Sequence, residues 1–117
     1  MNFDEIFNIL PYSLNKESKR KLLNACLHEL TLRHYFNCDN YKKMLDASRV
    51  NLENLPEYDS LPFLPVRLFK EFELRSVPKE DVVKTMTSSG TTGQQVSRIF
   101  LDRDTSTCQT KALTKIV

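Results

Sequence analysis

Glycine is nearly missing from this chain of 117 residues: it holds two, Gly90 and Gly93, where average usage of roughly 7% would supply about eight. Both lie in one hexapeptide, Ser88 to Gly93, so glycine's conformational freedom is concentrated at a single place. Long apolar runs are missing as well. None approaches the roughly 20 residues needed to cross a bilayer, and the opening Met1-Asn2-Phe3-Asp4-Glu5 lacks the basic start of a signal peptide. Cysteine is sparse and odd in number. Cys26, Cys38 and Cys108 at wide spacing argue against a disulfide framework, read as buried thiols and suit a reducing compartment, so the chain reads as cytoplasmic. An excess of one charge is also absent, because 17 Lys and Arg face 15 Asp and Glu for a net +2. That is too little for the broad basic surface of a nucleic-acid binder. No repeat or low-complexity tract is present, which removes solenoids and tails. What remains, 40% apolar and 27% charged, is an ordinary globular composition with room for one core.

Apolar positions 3, 6, 7 and 10 predict a short helix ended by Pro11 and docked as a lid or arm. Asn15 can cap a second helix, along which Leu23, Leu27, Leu30 and His34 recur three or four apart until Asn37. Asp39 is the expected cap of a third, through Tyr41, Met44 and Leu45. From Leu52 the prolines Pro56, Pro62, Pro65 and Pro78 break any period. The stretch is rich in Leu61, Phe63, Leu64, Val66, Leu68, Phe69 and Phe72, too apolar for a free linker, and is expected to lie pinned across a larger surface. Val82, Val83, Thr85, Met86 and Thr87 favour a strand, and Val96, Ile99, Phe100 and Leu101 a second, joined as a hairpin. Asp102 or Asp104 then caps a helix through Cys108, Ala112, Leu113 and Ile116 that meets the last residue unclosed, as in a chain cut inside a helix. The expected architecture is α+β: a helical part over 1–50, a proline-rich crossing segment over 51–81, and over 82–117 a β-hairpin with a phosphate loop and a truncated helix.

The segment Thr85 to Ser97 has no charged residue, seven hydroxyls and both glycines. Glycines let backbone N–H groups approach a ligand closely, and Ser and Thr add small donors, which together suit the oxygens of a phosphate chain. A plain hairpin connection with polar turn residues accounts for the same composition. It leaves unexplained why every glycine is here. The P-loop pattern is absent, since Gly90 and Gly93 are three apart and no lysine follows.

Ser88-Ser89-Gly90-Thr91-Thr92-Gly93 resembles the phosphate-binding signature of the adenylate-forming enzymes, the acyl and aryl ligases. More closely, the chain resembles the N-terminal third of the acyl-protein synthetase family, the LuxE-type luciferin-component ligases. The likeness rests on Ile6-Phe7 with Pro11-Tyr12-Ser13-Leu14, on Leu30, His34, Cys38 and Tyr41, on Leu61 through Lys70, and on Thr87 through Asp102 with Thr105 and Gln109. The resemblance implies a fragment of a larger adenylate-forming fold that uses ATP and Mg²⁺ to turn a carboxylic acid, a fatty acid in the family's best-known case, into an acyl-adenylate. The acyl group then passes to a protein thiol, on a cysteine outside this chain. It further implies that Ser88, Ser89, Thr91 and Thr92 with the N–H groups of Gly90 and Gly93 grip the β- and γ-phosphates. An acyl-reductase partner protein is implied as well. The wider signature continues with proline and lysine, where this chain has Gln94-Gln95-Val96-Ser97-Arg98. Arg98, or a residue elsewhere, is expected to supply the missing positive charge.

The rival reading is a non-catalytic interaction module whose loop merely connects strands; apolar surface around Leu113, Ile116 and Val117, and self-association through it, would instead mark a fragment. Cys26, His28, His34 and Cys38 have zinc-ligand chemistry, but residues 26 and 28 of one helix point to nearly opposite sides, leaving His34 and Cys38 to share a metal that needs about four ligands. No metal site is expected, and His34 should find a packed partner. The Lys16, Lys19, Arg20 and Lys21 run reads as a solvated face or a phosphate contact, and Pro62 and Pro65 as buried among apolar neighbours.

Overall fold

Asn15 sets the first firm boundary. In the computed structural model, which describes residues 3–88 and 95–116, its side-chain Oδ1 accepts the Ser18 N–H at 2.8 Å and opens α2, Lys16–Asn37. Asn15→Ala removes this cap and is expected to cost about 1 kcal/mol of stability, read as a lowered urea midpoint. Before it, α1 spans Phe3–Phe7, shorter than the apolar spacing suggests. The Leu10 carbonyl turns away to accept both the N–H and the hydroxyl of Ser13, and Tyr12 takes a left-handed φ of 63°, so the helix cannot continue.

Along α2, Leu23, Leu27 and Leu30 are half-buried and Thr31 is buried, its hydroxyl returned to the Leu27 carbonyl at 2.6 Å. The helix ends where Cys38 becomes extended while its N–H still donates to the His34 carbonyl. Cys38 is also the residue before α3, Asp39–Ala47. Asp39 is therefore the first helical residue and not the cap. Its carboxylate still favours the helix start through the dipole. Leu45, at 3% exposure, is the most buried side chain of α3, and Tyr35 ties the two helices through a 2.7 Å hydrogen bond to Asp46 Oδ1.

The proline-rich stretch is held chiefly by polar clasps. Arg20, Asn24 and His28 stand four apart on one stripe of α2. They meet consecutive residues of the connector: Arg20 pairs with Glu57 Oε2 at 2.8 Å, Asn24 Oδ1 accepts the Tyr58 N–H at 2.8 Å, and His28 Nε2 lies 2.6 Å from the Pro56 carbonyl. A carbonyl can only accept, so His28 carries its proton on Nε2. Of the basic run, Arg20 is thus a structural pin, while Lys16, Lys19 and Lys21 face solvent. The expected burial holds in part at Pro62, half-buried between Leu61 and Leu64, and fails around Pro65. Phe63 is 87% exposed and Val66 70%, because the one-turn α4, Leu68–Glu71, opens from the Pro65 carbonyl and turns Leu68 and Phe69 inward instead.

β1, Val82–Thr87, and β2, Arg98–Asp102, pair antiparallel, with Thr87 opposite Arg98, Met86 opposite Ile99 and Lys84 opposite Leu101. Val96 lies outside the strand. A register shift at Val83 bends β1 near its start. Asp102 ends β2 and caps α5, Arg103–Ile116, by accepting the Thr105 N–H at 2.8 Å, which resolves the choice between Asp102 and Asp104. α5 folds back over the hairpin, where Gln109 Nε2 reaches Met86 Sδ at 3.2 Å, and α1 rests on α5 through Lys111 and Asp4 at 3.6 Å. The architecture is thus mixed helix with a two-stranded antiparallel sheet. Its core is thin: among the described residues the buried apolar side chains are Cys38, Leu45 and Leu101. Leu113 and Ile116 are 59% and 75% exposed.

Candidate functional site

The uncharged segment sits where β1 gives way to β2, and its neck is closed by a reciprocal pair. Ser88 N–H donates to the Ser97 carbonyl at 3.1 Å, and Ser97 N–H donates to Ser88 Oγ at 3.0 Å. Ser88 is therefore a pin of the neck, with its O–H still able to donate outward. Of the expected phosphate-gripping residues, Ser89, Gly90, Thr91, Thr92 and Gly93 lie outside the described residues.

Arg98 is the first residue of β2. Alternation along the strand places Arg98 and Phe100 on one face and Ser97, Ile99 and Leu101 on the other. The Arg98 guanidinium lies over the Phe100 ring, 5.8 Å from its centroid, and its Nη1 is 4.0 Å from Glu73 Oε1. Glu73 is bound more closely by Arg75, whose Nε and Nη2 reach Oε2 at 3.3 and 3.2 Å while Nη1 donates to the Val77 carbonyl at 2.9 Å. Two arginines thus converge on one carboxylate beside the loop neck. Sequence reading missed Glu73 and Arg75, which carry no local motif; the path of the connector brings Glu73, with Arg75 bound to it, to Arg98. On the opposite face Ser97 is 8% exposed, and its hydroxyl has no hydrogen-bond partner among the described residues.

Behind the other end of β2, a cavity of about 840 Å³ opens between α2, the connector and α5. Its walls include Leu27, Leu30, Leu64 and Phe69, and its polar rim joins Arg33 to Asp102 at 3.8 Å and His34 Nδ1 to Ser76 Oγ at 2.5 Å. Hydrogen bonds from the Thr105 side chain and N–H, aided by Arg33, hold the Asp102 carboxyl below the usual range and keep the cap charged. Partial burial of the His34 ring, with Arg33 beside it, pushes its pKa below 6.5. The unfolded chain then binds a proton at His34 that the folded chain refuses. Stability should accordingly fall as pH drops from about 6.5 toward the lower folded value, and His34→Gln should flatten that part of the profile in urea melts at pH 7.5, 6.5 and 5.5. His34, Cys38, Cys26 and His28 do not assemble. Among the described residues no three His, Cys, Asp or Glu side chains stand close enough to hold a metal.

The comparisons with known proteins agree with the family that the sequence resembles. The chain is 31% identical over 100 residues to a long-chain-fatty-acid–luciferin-component ligase of Aliivibrio fischeri, covering 86% of this chain and 26% of that protein. It is 28% identical over 100 residues to a sequence of the same name from Photorhabdus luminescens, covering 86% of this chain and 84% of the other. The chain therefore spans about a quarter of the length of the first relative and most of the second. No solved structure matches significantly. A sequence model of the acyl-protein synthetase family, LuxE, matches residues 2–117, nearly end to end, and the chain belongs to that family.

Proposed function

We propose that this chain is the N-terminal, phosphate-holding portion of an ATP-dependent acid–thiol ligase of the adenylate-forming kind. The observation that carries the reading is the hairpin. An uncharged segment with seven hydroxyls and both glycines is held between antiparallel strands, closed at its neck by Ser88 and Ser97, with a guanidinium at its rim. In this reading a carboxylate oxygen of the acid attacks the α-phosphate of ATP, the bond to the β-phosphate oxygen breaks, and pyrophosphate leaves. Ser88, Ser89, Thr91, Thr92 and the N–H groups of Gly90 and Gly93 hold the β- and γ-phosphates in line and spread the charge that the leaving group gains. Arg98 adds the positive charge that a loop lysine supplies elsewhere in the superfamily. Mg²⁺, when bound, would neutralise phosphate charge; within Thr85 to Ser97 the hydroxyls are the side-chain oxygens that would face it, and no carboxylate is present there. The acid is of the long-chain fatty class in the names of both relatives, and we extend that class to this protein. The acyl group then moves to a thiol outside the chain, with a reductase as the downstream partner, in the cytoplasm.

The test is acid-dependent exchange of labelled pyrophosphate into ATP by the complete ligase, across fatty and small acids. Exchange that appears with a long-chain acid and vanishes without it is expected. A folded protein that binds no ATP and exchanges with no acid would overturn the reading. It would favour the interaction module, for which the outward-facing Phe63 and Val66 of the connector speak, whereas exposed Leu113 and Ile116 are the surface expected of a fragment.

A further inference from the structure

Glu73 holds a position that a phosphate could take. Arg75 is locked: three of its donors are engaged, and its side chain is 23% exposed. Arg98 is oriented but unsatisfied. Its guanidinium carbon lies 5.8 Å from the Phe100 ring centroid, its nearest carboxylate oxygen is 4.0 Å away, and among the described residues none of its five donors makes a hydrogen bond. The two guanidiniums carry two positive charges against the single negative charge of Glu73. Oε2 of that carboxylate is committed to Arg75, leaving Oε1 as the loose link to Arg98. A paired-guanidinium site favours an anion with more charge and more oxygens than one carboxylate, and its planar forks match phosphate oxygens.

We propose that Arg75 and Arg98 form a two-guanidinium site for a phosphate chain, and that Glu73 is its internal competitor, filling the site until the ligand displaces it. The identity of the ligand, the triphosphate of a nucleotide, rests on the ligase reading; the site itself stands on the cluster. Glu73 and Arg98 are 42% and 40% exposed at the side chain, so solvent screens the competition and its effect is modest. With ligand bound, Glu73 swings to solvent, and its like charge near the phosphates limits how tightly they are held.

The experiment titrates inorganic tripolyphosphate, with sulfate as control, into the 117-residue chain by calorimetry at low and high salt. Wild type is compared with Glu73→Gln, Arg98→Gln and the double variant, each checked for an unchanged circular dichroism spectrum. Glu73→Gln is expected to tighten tripolyphosphate binding by about two- to fivefold at low salt, and less at high salt. Arg98→Gln weakens binding, and in the double variant the gain from Glu73→Gln disappears, because the competitor has lost what it competed for. If Glu73→Gln binds no tighter, or its gain survives without Arg98, the proposal is overturned. Complete ligase that exchanges pyrophosphate while these variants behave alike keeps the ligase reading and removes this site. Tighter binding through Arg98 in a protein that never exchanges keeps the site and removes the ligase reading.

Discussion

Thr91→Ala and Thr92→Ala together are expected to lower acid-dependent pyrophosphate exchange by the complete ligase by about a hundredfold or more. Each hydroxyl is a small donor, and a hydrogen bond to a charged group contributes about 1.5–3 kcal/mol, so losing two removes about 3–6 kcal/mol of phosphate binding or alignment. A factor of ten corresponds to about 1.4 kcal/mol, which makes a hundredfold loss the lower bound. The split between KM and kcat is informative. Weaker grip on ATP in its ground state raises KM alone, whereas loss of donors that strengthen as pyrophosphate departs lowers kcat. Both threonines belong to a hexapeptide without charges or large apolar side chains, so the double variant should keep the melting temperature of the parent, and exchange at the parental rate would exclude these hydroxyls from the chemistry.

Leu101→Ala is expected to have the largest effect on stability, about 2–5 kcal/mol, with a melting temperature lower by roughly 10 °C or more. Leu101 is 7% exposed, is the β2 residue next to the Asp102 cap, and lines the cavity with Thr105 and Cys108 of α5. Since the buried apolar set among the described residues is Cys38, Leu45 and Leu101, little remains to absorb the loss. For a domain whose whole stability is about 0.05–0.15 kcal/mol per residue, that is a large share. Phe63→Ser is the control. At 87% exposure it should change stability by less than about 0.5 kcal/mol. A Leu101→Ala chain melting beside the Phe63→Ser chain would show that hairpin and α5 do not unfold together.

Local chemistry was readable without any coordinates. Asn15 caps its helix through the N–H three residues on, as does Asp102, one of the two aspartates the sequence offered, and strand-favouring residues on either side of the glycine-bearing hexapeptide announce a hairpin. Such features depend on neighbours within about four positions. Where two adjacent residues could serve, sequence was less decisive. Cys38 stands extended before α3, so the helix opens one residue earlier than an Asp39 cap would have it. The apolar connector misled more strongly, since hydrophobicity predicts that a residue can be buried and not which way a proline-bent chain turns it.

Composition and order along the chain alone determined the family resemblance and the α+β succession of elements, because these are properties of short stretches. Tertiary structure decided what the scattered polar residues do. Arg20, Asn24 and His28 become a clasp on Pro56 to Tyr58 across 28 to 37 positions, and His34 meets Ser76 across 42. Glu73, itself held by Arg75, comes within 4.0 Å of Arg98 across 25 positions only because of the path the proline-rich connector takes. A hydrogen bond or ion pair needs a few ångströms of approach, and distance along the chain says nothing about that until the backbone has chosen its route.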